Sequence, residues 1–203
     1  MSESNDNTDG NYNAFARIDW PVRTRRLQIR PATVADVEAV WGWRKLPEVS
    51  RWITGAPGRD DFVAQFSELS YLARTLIVEL DGQPIGDLML RVTDAWAQTE
   101  VADQARGVQA ELGWIFDPAQ QGHGYATEAV IALVELTFGA LNIRRLEASC
   151  FAANEPSWRL MERIGMRREL YSVAESLHRD GTWMDGMTYA LLATEWPTPQ
   201  VAG

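Results

Sequence analysis

Apolar and polar residues alternate along "RLQIRPA" (Arg26 to Ala32) with the two-residue period of a half-buried strand. The segment behind it, "TVADVEAVWGWRKL", switches to helical spacing, with Thr33 placed to cap its start. In "RDDFVAQFSELSYLAR", Phe62, Phe66, Leu69 and Leu72 recur three and four residues apart, which predicts a helix. Two apolar runs, "TLIVEL" and "PIGDLMLRV", then flank Asp81-Gly82, the turn sequence of a tight hairpin. The polar stretch "TDAWAQTEVADQARG" reads as a loop at the end of that hairpin, within reach of a substrate.

Alternation returns in "VQAELGWIF", with Val108, Ala110, Leu112, Trp114 and Phe116 on one face and Gln109, Glu111, Gly113 and Ile115 on the other. Gly113 inside that strand predicts a bulge or a close backbone approach. Beyond Asp117-Pro118 and a glycine-bearing turn, a helix is expected from about Tyr125 to Leu141, its apolar face made by Ala126, Val130, Leu133, Val134 and Leu141. "RRLEASCF" predicts a strand, "NEPSWRLMERIGM" a short helix ending near Gly165, and "MTYALLATEW" a last strand. There is room for one more short strand between Gly165 and Met187. The order is that of a mixed α/β domain.

With 203 residues, 46% of them hydrophobic, the chain can bury one sizeable core, and a single domain is expected over 14–198. Residues 1–13, "MSESNDNTDGNYN", have no aliphatic side chain and read as a disordered tail; 199–203 form a short C-terminal tail. No run of 18 apolar residues occurs and the N-terminus lacks a secretory pattern, so a cytoplasmic protein without membrane partners is expected. The single cysteine, Cys150, reads as a small buried hydrophobe on a strand. A net charge of −9 argues against nucleic acid as a partner and favours cationic substrates. Of the 19 basic residues only Lys45 is a lysine.

The chemistry concentrates in "QQGHGYATEA" (Gln120 to Ala129), where helix-disfavouring glycines stand immediately before a helix. Such a loop lets successive backbone N–H groups converge on an anion, and the helix start adds its unsatisfied donors and positive dipole end. The loop has neither the Gly-Lys-Ser/Thr of a Walker A sequence nor the Gly-x-Gly-x-x-Gly of a dinucleotide site. The pattern Gln121, Gly124, Ala126 is weak by itself. A tight turn that binds nothing is the alternative.

The stretch from Glu111 to Glu169, "ELGWIFDPAQQGHGYATEAVIALVELTFGALNIRRLEASCFAANEPSWRLMERIGMRRE", resembles the acetyl-CoA core of the GNAT N-acetyltransferase superfamily. It is similar in particular to the branch that acetylates the N-termini of ribosomal proteins, and the likeness extends over about Arg23 to Trp196. The resemblance implies a central, mostly antiparallel sheet splayed between two parallel strands, with helices on both faces. It implies that Gln121, Gly122, His123, Gly124, Tyr125 and Ala126 hold the pyrophosphate of acetyl-CoA through backbone amides, with Thr127 adding a hydroxyl. It further implies that Ile115 and Phe116 pair with the pantetheine arm beside a bulge, and that Asn154 bonds the same arm.

Many members of the superfamily carry a tyrosine, four residues before the glycine that ends the short helix, to protonate the departing thiolate. Met161 occupies that position here, and a thioether cannot donate a proton. Ser157, one turn earlier, shares its face and is the candidate acid, unless it is an ordinary first-turn residue. Glu111 is the candidate base, acting through water, unless it is an ordinary exposed strand carboxylate. His123 and His178 are not expected to take part in chemistry, and no metal-ligand spacing occurs.

The implied reaction is direct attack of a primary amine on the thioester in a ternary complex. The acceptor is expected to be a protein or peptide N-terminus. A small amine such as an aminoglycoside or polyamine, or a non-catalytic acyl-CoA-binding module, stands as the alternative, and a homodimer is a possible assembly.

Overall fold

The computed structural model describes residues 15–55 and 58–197. The expected tails, 1–13 and 199–203, lie outside the described residues. Eight strands form one sheet: β1 (Val22–Arg23), β2 (Leu27–Pro31), β3 (Thr75–Leu80), β4 (Gln83–Thr93), β5 (Gln109–Phe116), β6 (Arg145–Phe151), β7 (Arg167–Leu177) and β8 (Trp183–Leu192). Their spatial order is β1-β2-β3-β4-β5-β6-β8-β7. Every neighbouring pair is antiparallel except β5 and β6, which run parallel. This is the expected mixed α/β architecture.

Local chemistry accounts for the elements nearest the site. The β3–β4 hairpin turns on Asp81 and Gly82, both at positive φ (50° and 77°), the geometry that suits a right-twisted two-residue turn. All of β3 from Thr75 to Glu79 is buried, because helices cover the sheet there. On one face, α1 (Val37–Arg44), α3 (Arg59–Phe66) and α4 (Leu69–Leu72) bring Val40, Trp43, Phe62, Phe66 and Tyr71 onto Ile77 and Ile115. The main core receives Ala129, Val130, Leu133 and Val134 of α5 (Tyr125–Gly139), which meet Leu88, Leu90, Ala110 and Leu112. The short helix α2 (Pro47–Ser50) links α1 to the segment around Trp52. Helix α6 (Glu155–Arg163) lies against β6, β7 and β8 and ends where Gly165 adopts a φ of 85°.

The expected helix over residues 59–74 is broken in two. The Ser67 hydroxyl donates to the Val63 carbonyl at 2.7 Å, and Glu68 turns extended (φ −66°, ψ 136°) before α4 starts. Leu69, assigned to the apolar stripe, is therefore 67% exposed, and Tyr71 takes the inward position. Thr33 precedes a 3-10 turn, Val34–Asp36, rather than the α-helix itself, and its N–H and hydroxyl both donate to Asp36 Oδ2. The short strand allowed after Gly165 is an eleven-residue edge strand, β7. No bulge occurs at Gly113: the β4–β5 register runs unbroken from Gly86 opposite Phe116 to Thr93 opposite Gln109. Nor is the backbone approached closely there: the nearest atoms to a Cβ at Gly113 would be those of the Met89 side chain at 3.4 Å, an ordinary contact. Among the described residues no helix is long and apolar enough to cross a membrane.

Candidate active site

Parallel pairing of β5 with β6 is limited to Gln109 with Arg145, Ala110 with Leu146 and Glu111 with Glu147. Beyond Glu111 the strands part, which opens a slot between the C-terminal half of β5 and the start of α6 without any extra residue in β5. Two cavities meet at this slot. A cleft of about 1610 Å³ runs along Trp114, Ile115 and Phe116, the glycine turn, the first turns of α5, and Asn154 and Ser157. A smaller cavity of about 510 Å³ lies under α1 and α4 and is walled by Trp41, Trp52, Phe62, Tyr71 and Trp114. Trp114, Ile115, Asn154 and Ser157 line both.

At the far end of the large cleft, Gly122 and Gly124 adopt φ of 80° and 78°, a conformation strained for any L side chain. The first turn-to-helix bond is Glu128 N–H to the Gly124 carbonyl at 3.1 Å, so the N–H groups of Tyr125, Ala126 and Thr127 have no carbonyl one turn earlier. Arg26 fixes this turn from outside. It donates to the His123 carbonyl at 2.9 Å, lies 4.5 Å over the Tyr125 ring, and meets Glu128 at 2.7 Å. Burial pushes the Glu128 carboxyl up, but donation from Thr24 and Arg26 outweighs it and holds the group below the usual carboxylate range. The Thr127 hydroxyl accepts from Arg163 at 3.1 Å, which ties α6 to the start of α5. These features fit a bound pyrophosphate: open space beside Gly122, N–H groups at the start of α5 without intrahelical acceptors, and arginines 23, 25, 159 and 163 on the cleft wall.

At the slot, Asn154 stands at the N-cap of α6 yet its side chain does not close that helix's first turn, which leaves its amide available to a ligand. Ser157 is half-buried; burial pushes the Cys150 thiol up, and the Ser157 side chain hydrogen-bonds to it. Met161, 1% exposed, lines the smaller cavity with Ser157, as their one-turn spacing predicts. Glu111 lines that same cavity, at the last paired position before the strands part, and its carboxylate is held by Arg91 across the β4–β5 ladder. The two candidate catalytic residues thus share one cavity. The polar loop over 94–108 lines neither cavity.

Sequence reading missed the other polar groups of the smaller cavity. Asp87 on β4, 1% exposed, accepts from Arg44 of α1 at 2.5 Å. Burial pushes the Asp87 carboxyl up against the pull of that arginine. Tyr71, Arg74, Lys45 and Arg179 also line it. They come from separate elements, so no spacing along the chain announces them. Arg179 and His178 belong to the β7–β8 turn and reach the segment after α2: His178 Nε2 sits 2.8 Å from the Arg51 carbonyl, and Arg179 donates to the Ile53 carbonyl at 2.8 Å. Among the described residues no group of three or more His, Cys, Asp or Glu side chains is placed to hold a metal ion.

Comparison with known proteins agrees with this geometry. The sequence model of the acetyltransferase (GNAT) domain matches residues 26–167. A solved acetyltransferase (GNAT family) from Bacillus anthracis is 30% identical, with 86% of this chain and 99% of that chain covered at a TM-score of 0.70. The N-acetyltransferase YnaD of Bacillus subtilis is 42% identical over 86 residues, which span 42% of this chain and only half of YnaD. The N-acetyltransferase p20 of Bacillus licheniformis is 27% identical over 85% of this chain and 96% of its own length. RimJ of Mycobacterium smegmatis, solved with CoA-disulfide, shares the fold at 23% identity and a TM-score of 0.68, with 85% of this chain and 84% of that chain covered.

Proposed function

Because the chain belongs to the acetyltransferase (GNAT) domain family, we propose that it transfers an acetyl group from acetyl-CoA to a primary amine, the α-amine of a peptide or protein N-terminus. The observation that carries this reading is the slot itself. The strands part after Glu111, a phosphate-type cradle lies at one end, and an aromatic-walled cavity at the other holds Glu111 and Ser157.

Acetyl-CoA supplies the thioester whose carbonyl carbon accepts the amine. The glycine turn and the open N–H groups at the start of α5 hold the pyrophosphate, while Asn154 and the exposed main chain of Ile115 and Phe116 orient the arm. Glu111, through water, takes the proton of the incoming amine as the N–C bond forms. Ser157 returns a proton to the sulfur as the C–S bond breaks, and no residue becomes acylated. Alignment of two substrates in one slot supplies much of the acceleration.

The α-amine is favoured over a lysine amine by its own acidity. With a pKa of about 7.7 to 8.0 it is roughly a tenth to a sixth neutral at pH 7, whereas an amine near 10.4 is neutral in only about one part in a few thousand. One carboxylate acting through water suffices for the first. The test offers two matched peptides, one with a free N-terminus and no lysine, the other N-terminally blocked with an internal lysine, and compares kcat/KM across roughly pH 6 to 9. The free N-terminus is expected to be acetylated faster, and preference for the blocked lysine peptide overturns the reading.

The aminoglycoside N(6')-acetyltransferase of Klebsiella pneumoniae is 26% identical over 70% of this chain and 75% of its own length, so an aminoglycoside belongs in the same assay. Brisk turnover of that amine with neither peptide accepted favours a small-amine acceptor.

A further inference from the structure

The chain as a whole is strongly acidic, yet its acceptor cavity is not. Four cations line it, Arg44, Lys45, Arg74 and Arg179, against two carboxylates, Asp87 and Glu111. Both carboxylates are already answered: Asp87 by Arg44, and Glu111 by Arg91 from outside the lining. Lys45 and Arg74, by contrast, enter no ion pair among the described residues. Arg74 lies with its guanidinium carbon 5.6 Å from the centre of the Tyr71 ring, and Tyr71, only 9% exposed, has a hydroxyl without a hydrogen-bond partner among the described residues. An O–H donor, a guanidinium and an ammonium therefore line this cavity without a carboxylate of the protein paired to any of them among the described residues. Low-dielectric aromatic walls concentrate their field within the cavity, whatever the net charge of −9 does outside it.

Resting on the acetyltransferase reading, we propose that the acceptor is an amine whose own molecule carries a carboxylate, received by Lys45, Arg74 and the Tyr71 hydroxyl while the amine reaches the slot. Those three groups are donors only, or donors by preference, toward an anion, and a carboxylate accepts from all of them. A cavity of about 510 Å³ accommodates the first residues of a peptide or a free amino acid. Polycationic acceptors, which net charge alone would favour, meet like charge at this wall.

The test compares N-terminal peptides that differ only at positions two and three, carrying glutamate, glutamine or lysine, together with an alanine dipeptide as free acid and as amide. Expected is a kcat/KM about tenfold higher for the glutamate peptide than for the glutamine peptide, and lower again for lysine, with the gap narrowing as salt is raised. A free dipeptide acid preferred over its amide assigns the anion to the acceptor's own α-carboxylate; a preference confined to the glutamate side chains assigns it to an acidic N-terminal sequence. Lys45→Glu, on an exposed position, and Arg74→Gln should each collapse the glutamate-to-glutamine ratio toward one.

Calorimetry with CoA and the N-acetylated peptides reads the same preference with no turnover. Tighter binding of the acidic product by a protein that acetylates none of these amines supports the acidic-ligand inference while removing the proposed reaction. Equal or better use of the lysine peptide, a ratio unmoved by both variants, or an aminoglycoside surpassing every peptide overturns it.

Discussion

Arg44 of α1 and Asp87 of β4 form a buried ion pair, Nη2 to Oδ1 at 2.5 Å, in the wall of the smaller cavity. Asp87 stands opposite Ile115 in the ladder, so the pair ties the helical cover of the sheet to the strand that borders the slot. Asp87→Ala is expected to cost about 3–5 kcal/mol, because it leaves the guanidinium buried without its carboxylate. Arg44→Met combined with Asp87→Leu should restore most of that stability. Urea unfolding of the single and double variants measures both, and equal losses in the two would contradict the pairing argument.

Gly124→Asp should abolish the cradle while the domain stays folded. At a φ of 78° the new side chain costs about 1–2 kcal/mol in backbone strain, and its Cβ would lie 3.7 Å from Arg26 Nη2. An aspartate there draws Arg26 away from Glu128 and sets a negative charge beside the pyrophosphate. Calorimetry is expected to show acetyl-CoA affinity falling by roughly 100-fold, about 2.7 kcal/mol. Unchanged affinity would sink the assignment of the loop.

For Ser157→Ala the loss should fall on kcat, by about 10- to 100-fold, with KM for acetyl-CoA changed far less, since a proton is needed only as the C–S bond breaks. Cys150→Ala separates this from loss of the Ser157 contact with the thiol and should leave kcat within about threefold. A rise in KM at constant kcat makes Ser157 a binding contact.

Glu111→Gln should depress kcat/KM by about 10- to 100-fold at pH 6 to 7, where the α-amine is mostly protonated, and progressively less toward pH 9, where it is neutral without help. A loss that is the same at every pH removes Glu111 from the proton path.

His178 gives the acceptor side a pH-sensitive tie. Its proton is held above the usual histidine value because the Asp180 carboxylate and the Arg51 carbonyl both accept from the ring. The folded value is raised, so the contribution is complete below about 6.5 and is lost as pH rises through the raised value. Deprotonation removes the Nδ1 ion pair with Asp180 and leaves Nε2–H to the Arg51 carbonyl as a neutral hydrogen bond, so the tie between the β7–β8 turn and residues 51–53 weakens without being lost. Amide hydrogen exchange at Arg51–Ile53, corrected for intrinsic rate, should accelerate between pH 6 and 9. A titration of His178 at or below 6.5 contradicts the mechanism.

What the sequence disclosed was what short-range chemistry determines. The Asp81-Gly82 hairpin and the turn before Tyr125 depend on glycines or turn residues whose backbone preference acts within a few positions, and both are found as expected. The break after Phe66 escaped because apolar spacing continues across it, while a serine hydroxyl and an extended Glu68 decide the outcome. Strand β7 was underestimated because most of it is exposed on both faces and shows no alternation to detect. Glu111, Ser157 and Met161 could be brought near one another by family likeness and helical spacing. The Arg44, Tyr71, Arg74 and Asp87 wall could not, since it exists only once two helices, the link before β3 and strand β4 have packed.

The undisturbed ladder of β5 gives the enzyme a parity rule. Ala110 and Leu112 sink into the core beneath α5, whereas Ile115, and with it Glu111 by alternation, faces the side covered by α1, α3 and α4, although all five positions from 111 to 115 border the smaller cavity. Inserting one residue after Ala110 would exchange the two faces, turning the carboxylate into the core beneath α5 and the leucine side chain out of it, while inserting two would preserve each assignment. Length variation along this strand is therefore constrained by arithmetic as well as by packing: even changes can be absorbed at a loop, and odd ones turn donor-side and acceptor-side chemistry inside out.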